Sequence, residues 1–144
     1  MNDFEISFFL PMIPPTVTAQ EHRAVATRKG KVVFYDTPEL LNARGRFMQS
    51  LAGFAPAEKL SGAIKLKILW CFPLSGKHQH GDYKITKPDT DNLLKLFKDC
   101  MTKVGFWNDD AQVAWELSEK RYSTMPGIYV AVGRIVKDGV VHED

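Results

Sequence analysis

Four aspartates and a lysine stand out for their type and spacing. Asp89, Asp91 and Lys95 lie in Lys87-Pro88-Asp89-Thr90-Asp91-Asn92-Leu93-Leu94-Lys95, and Asp109 and Asp110 in Trp107-Asn108-Asp109-Asp110-Ala111-Gln112-Val113. Pro88 disfavours helix at the residue before it, so Asp89 and Asp91 fall where an extended entry becomes a helix. Two carboxylates two residues apart in extended chain point the same way. Converging carboxylates without enough Lys or Arg to neutralise them suit Mg²⁺ or Mn²⁺, hard cations that keep waters and bind substrate phosphates. The structural alternative is a solvated helix face, with Asp91, Lys95 and Asp99 at i, i+4 and i+8 on one polar ridge and Asp91 favoured by the helix dipole. A helix from Asp91 to Lys103 is roughly 20 Å long, so the second acidic pair must fold back beside it to reach the first.

The elements that must position these residues follow from patterning. Glu5 to Leu10 reads as a strand ending at Pro11, with Pro14-Pro15 stiffening the connection. Ala24 to Thr27 and Lys31 to Tyr35 flank Arg28-Lys29-Gly30, a charged turn that predicts a hairpin. Asp36 or Thr37 caps a helix with Pro38 at its first position, running through Leu40, Phe47 and Leu51 to Gly53. Phe54 to Gly62 is a loop, and Ile64, Leu66, Ile68, Trp70 and Phe72 alternate with Lys65 and Lys67 as in a half-buried strand. Leu74 to Pro88 is irregular and cationic. Leu93, Leu94, Leu96, Phe97, Cys100 and Met101 form a helical stripe, which Gly105 is placed to end. Val113 to Leu117 and Ile128 to Val136 are strands expected to pair as a hairpin, and Lys137 to Asp144 a frayed polar tail. The sum is α+β: a single domain over residues 1–144, with a mixed sheet and two main helices.

Composition narrows the function classes. The 144 residues, 44% hydrophobic and 25% charged, suit one globular core. A formal charge of +2 excludes a polycationic nucleic-acid coat, so any DNA contact must come from local clusters. No stretch approaches the ~20 apolar residues of a membrane span. The N-terminus has no signal-peptide pattern, and the two cysteines fit a reducing, cytoplasmic setting. Cys71, His78 and His80 match no zinc spacing. Of the aromatic residues, Trp70, Phe72 and Trp115 occupy strand positions suited to a core, whereas Trp107, beside Asp109-Asp110 in a loop, is a candidate substrate contact.

The string from Pro88 to Lys95, then Asp99, then Gly105-Phe106-Trp107-Asn108-Asp109-Asp110-Ala111-Gln112-Val113, closely resembles the RusA-type Holliday junction resolvases. The resemblance extends to Leu10-Pro11 with Pro14-Pro15 and to Lys120. Asp-x-Asp alone is a weak signal; its combination with Asn-Leu-x-x-Lys and Trp-x-Asp-Asp-x-Gln-Val at this spacing is a strong one. One departure is Thr18-Ala19, where many members carry an Asn. The resemblance implies a homodimeric, magnesium-dependent crossover junction endodeoxyribonuclease, with Mn²⁺ as a substitute cation, that nicks four-way DNA junctions symmetrically in recombination and repair, encoded by a bacterium or a phage. Asp89, Asp91 and Asp110 are then the metal-binding catalytic acids, with Lys95 required beside them and Asp109 less clearly involved. Asp99 is expected to pair with Lys95 along the helix.

Phosphodiester hydrolysis needs an in-line water, charge neutralisation at phosphorus and help for the departing oxygen. The three acids would hold the metal that serves these needs, and Lys95 would place its ammonium on the scissile phosphate. Junction binding is expected to be electrostatic and shape-selective. Its candidates are Arg28, Lys29 and Lys31 at the hairpin tip and Lys77, Lys84 and Lys87 in the loop before the helix. A two-fold dimer matches the near two-fold symmetry of the substrate. Two other classes compete: a catalytically inactive branched-DNA-binding module whose acids are caps and ion pairs, and a glycosyltransferase, for which the chain is short and no doubly wound pattern is visible.

Overall fold

The computed structural model describes residues 3–16, 22–26, 29–137 and 139–143. Along the chain run β1 (Ile6–Pro11), β2 (His22–Ala26), β3 (Val32–Asp36), α1 (Pro38–Ala52), β4 (Ile64–Pro73), α2 (Thr90–Val104), a 3₁₀ turn (Asp110–Gln112), β5 (Val113–Ser123), β6 (Gly127–Arg134), β7 (Val136–Lys137) and β8 (Val140–Val141). The expected α+β architecture is present. A four-stranded mixed sheet in the order β1-β6-β4-β5 carries the core, and β2-β3 and β7-β8 form separate two-stranded ribbons.

Local chemistry explains both helices. Thr37 caps α1 through its hydroxyl, which accepts from the Leu40 amide at 3.2 Å, and Pro38 follows, where its missing N–H costs nothing. Gly105 ends α2 at φ 98°, a left-handed conformation that side chains with a Cβ resist. The apolar stripe of α2 is buried along its length, from Leu93 to Met101. It packs with Phe47 of α1 against Trp70 of β4. Phe97 meets Phe47 edge-on at 5.0 Å and Trp70 at 5.4 Å between ring centres. Both helices therefore lie on the sheet face that carries Ile64, Leu66, Ile68, Trp70 and Phe72, all buried.

Three expectations are corrected. β5 and β6 do not pair with one another; β4 lies between them, parallel to β5 and antiparallel to β6. The link from Ser123 to Gly127 needs only to cross roughly 10 Å, two strand spacings, which four residue steps manage with a reach of about 14 Å. The segment expected to be a frayed tail instead forms β7-β8. The His142 carbonyl accepts from the Ala63 amide, and the His142 amide donates to the Ile135 carbonyl. Gly62, at φ 73°, permits this closeness, since a Cβ there would lie 2.4 Å from the His142 carbonyl oxygen. Trp115, expected in the core, is 46% exposed because it lies on the edge strand, on the sheet face away from the helices.

The expected hairpin around Lys29-Gly30 exists as β2-β3, in register from His22↔Asp36 to Ala26↔Val32. Arg28, Thr18 and Ala19 lie outside the described residues. β5 is an edge strand, and its last residues are covered. The Lys84 amide donates to the Lys120 carbonyl, the Tyr122 amide to the Asp82 carbonyl and the Gly81 amide to the Tyr122 carbonyl. The irregular segment before α2 is thereby fastened to the end of β5.

Candidate active site

Asp89 is the N-cap residue of α2, with extended backbone (φ −71°, ψ 144°), yet its carboxylate accepts no capping hydrogen bond. A capping Asp normally spends an oxygen on the first-turn amides; here both oxygens remain available. Asp91 sits in the first turn and Lys95 one turn later, both exposed. Among the described residues neither makes an ion pair, so Asp91 and Lys95 form no i,i+4 salt bridge along the ridge. The expected Lys95–Asp99 pair does not form either. Asp99 instead binds Arg44 of α1 and, at 3.4 Å, Lys103, while Arg44 also approaches Asp36 at 3.4 Å. Burial pushes the Asp99 carboxyl up, but Arg44 and Lys103 outweigh it and hold the group below its ordinary value. Lys95 is left uncommitted beside Asp91.

The second acidic pair divides its labour. Asp109 caps the 3₁₀ turn, accepting from the Ala111 amide at 2.9 Å, whereas the exposed carboxylate of Asp110 has no partner among the described residues. Gln112 ties this turn to the fold. Its Oε1 accepts from the Asn108 and Asp109 amides, and its Nε2 donates to the Leu60 and Gly62 carbonyls at 3.1 Å each. Trp107 is fully buried, and its Nε1 donates to the Thr102 hydroxyl at 2.7 Å. It is therefore a core residue, not an exposed substrate contact: the indole buries its area and still finds an acceptor.

Within one chain the two acidic groups lie far apart. The 15 residues of α2 span about 22 Å at 1.5 Å per residue; Asp89 stands at its head, and the chain reaches Asp110 only after its end. β5 gives a second ruler. Asp110 directly precedes its first residues, whereas the Asp89 end is fastened to Lys120, seven residues or roughly 23 Å further along. Accordingly, among the described residues no three His, Cys, Asp or Glu gather at metal-holding distance. The donor chemistry nonetheless fits a hard divalent cation: exposed carboxylates at two places, not neutralised by ion pairs.

The proposed DNA-contacting lysines differ in their commitments. Lys84 is engaged within the fold, donating to the Thr86 hydroxyl at 2.6 Å and lying over the Phe72 and Tyr122 rings. Lys77 and Lys87 are exposed in the same segment as Asp89, and Lys29 and Lys31 are exposed on the β2-β3 turn.

Lys120 has a larger part than its place at the end of a motif suggested. From β5 its ammonium donates to the Thr86 carbonyl at 2.6 Å and the Pro88 carbonyl at 2.7 Å, gripping the bent chain just before Asp89. Burial and the neighbouring Lys84 lower its pKa, against the pull of Asp89. Strand periodicity signals that Lys120 shares a face with the buried Tyr122; nothing local reveals which carbonyls it reaches.

The endodeoxyribonuclease RusA family model matches residues 13–133, which include every acid and lysine of the two motifs. The chain belongs to the RusA family. A RusA relative from Lactococcus phage r1t, described as a crossover junction endodeoxyribonuclease, is 30% identical over 121 residues, 81% of this chain and 87% of its own length. Membership in the RusA family makes this chain a nuclease of the endodeoxyribonuclease class. Among the described residues no helix is long and apolar enough to cross a membrane.

Proposed function

We propose that this chain cuts four-way DNA junctions by paired, symmetric nicks, as a divalent-metal-dependent homodimer acting in the cytoplasm during recombination and repair. The observation that carries the reading is the head of α2, where Asp89, Asp91 and Lys95 stand exposed and, among the described residues, without an ion pair in a RusA-family chain.

Asp89 and Asp91 hold one side of a Mg²⁺ or Mn²⁺ site, and Asp110 supplies the third carboxylate. The separation within the chain is the reason to assign Asp110 to a second copy, with the Asp89 end of one protomer against the Asp110 end of its partner. A two-fold axis then makes two such sites, one for each of two opposed strands of the junction. When bound, the divalent cation neutralises charge at the phosphate and acidifies the attacking water. Lys95 holds a non-bridging oxygen of the scissile phosphate and stabilises the charge that builds there. Lys77 and Lys87, with Arg28, Lys29 and Lys31, contact the backbone phosphates of the arms.

The test is a nicking assay on a mobile four-way junction and a matched duplex, with Mg²⁺ or EDTA, using wild type and Asp91→Asn. Paired cuts that are confined to the junction, need the metal and are abolished by the substitution support the reading. Junction binding without cuts under any divalent metal would leave a branched-DNA-binding module instead.

A further inference from the structure

We propose that Lys120 is a positioning residue for the candidate metal site, aiming the Asp89 carboxylate by holding the backbone on which it stands. The inference rests on the metal-site reading above. Asp89 is exposed, and among the described residues its carboxylate is anchored to no neighbouring group by a hydrogen bond, so its direction depends on the backbone that delivers it. That backbone is irregular from Leu74 to Asp89 apart from the single bridge at Tyr83. Two of its carbonyls, on Thr86 and Pro88, converge on one ammonium at 2.6 and 2.7 Å. The second carbonyl belongs to the residue immediately before Asp89.

The other end of the Lys120 side chain is set by β5. Lys120 aligns with Trp70 in the parallel β4-β5 register, and its own carbonyl accepts from the Lys84 amide. One residue thus joins the sheet to the entry segment twice, through its main chain at Lys84 and through its side chain at Thr86 and Pro88. Two ammonium protons go to carbonyls, and the group has a third to give. A hydrogen-bonded support behind a metal ligand typically contributes a factor of 10–100 to metal affinity. An ammonium is suited to the task, because it donates to both carbonyls without requiring them to be coplanar.

The experiment compares wild type, Lys120→Met and Lys120→Arg for Mn²⁺ binding without DNA, followed by loss of the free-ion electron paramagnetic resonance signal. Asp91→Asn serves as the ligand-loss reference, and circular dichroism and melting temperature show which variants are folded. The expected result is a Mn²⁺ affinity weakened on the order of tenfold in Lys120→Met, recovered to within a few-fold in Lys120→Arg. The metal concentration for half-maximal junction nicking should move by the same factor, with kcat at saturating metal largely restored. If Lys120→Met fails to fold, Lys120→Arg and Lys120→Gln carry the comparison, since the neutral Gln amide is shorter by one methylene and donates more weakly than a cation, so Lys120→Gln should bind Mn²⁺ less tightly than Lys120→Arg. Unchanged Mn²⁺ affinity in the folded variants, with wild type binding and Asp91→Asn not, overturns the inference and leaves the metal site standing. Weakened junction affinity in EDTA, with a salt slope reduced by about one and metal affinity unchanged, also overturns it, making Lys120 a phosphate contact. Wild type that neither binds Mn²⁺ nor cuts junctions removes the metal-site reading and this inference with it.

Discussion

If a working site draws Asp89 and Asp91 from one protomer and Asp110 from its partner, two inactive variants should repair each other when mixed. The rulers of α2 and β5 separate these acids by about 20 Å within a chain, several times the span of a metal's ligand shell. Asp91→Asn and Asp110→Asn homodimers each carry a defect in both sites and should lose at least ~10²-fold in nicking rate. Co-refolding them in equal amounts makes half of the dimers mixed. In a mixed dimer one site holds both substitutions and the other neither, so about a quarter of all sites are intact. The mixture should nick a labelled junction at about a quarter of the wild-type rate. Because each mixed dimer has a single working site, the products should be singly nicked junctions, not resolved duplex pairs. A co-refolded mixture as inactive as its parents, with subunit exchange verified by differently tagged chains, would refute the reasoning and require all three acids to act from one chain.

Two further outcomes follow from particular contacts. Lys95 makes no ion pair among the described residues, so Lys95→Ala should leave unfolding free energy within about 0.5 kcal/mol of wild type while slowing nicking on the order of 10²-fold; denaturant melts and single-turnover kinetics check the two halves. Asp99 has a depressed native pKa, because Arg44 and Lys103 overcome its burial. Its stabilising contribution is therefore present above its unfolded pKa near 4 and is lost as pH falls through the lower native value. Its side chain is 42% exposed, so after solvent screening Asp99→Asn should cost at most about 1 kcal/mol at pH 7, a gap that closes in acid melts below pH ~4.

What was legible in the sequence is what local physics determines. The stripe from Leu93 to Met101, Gly105 at its end, the Thr37-Pro38 start of α1 and the alternation from Ile64 to Phe72 each carry their own signal, and each element lies where that signal places it. The motif around Asp89, Asp91 and Lys95 was equally visible, since loop-to-helix boundaries are written in neighbouring residues. Contacts across the chain were not. Asp99 finds Arg44, 55 residues away, and Lys103 one turn further along α2, not the Lys95 one turn before it. β4 inserts between β5 and β6 although those two are neighbours in sequence. Trp107 lies beside two exposed acids yet turns into the core, because Thr102 waits there for its N–H. The grip of Lys120 on Thr86 and Pro88 belongs to the same kind, set by parallel strand register and by a segment with no periodicity of its own.

The fastening of residues 81–84 along the end of β5 has a bearing on solubility. An open sheet edge is a template on which another chain can add a strand. Here Asp82 and Lys84 already occupy the outward-facing groups of Lys120 and Tyr122, so among the described residues the uncovered template runs only from Val113 to Glu119. A foreign strand laid there meets the protein's own chain after about three repeats of the pleat and cannot lengthen further. The edge is thus stoppered at one end, which blunts it as a seed for open-ended stacking while leaving its first half bare.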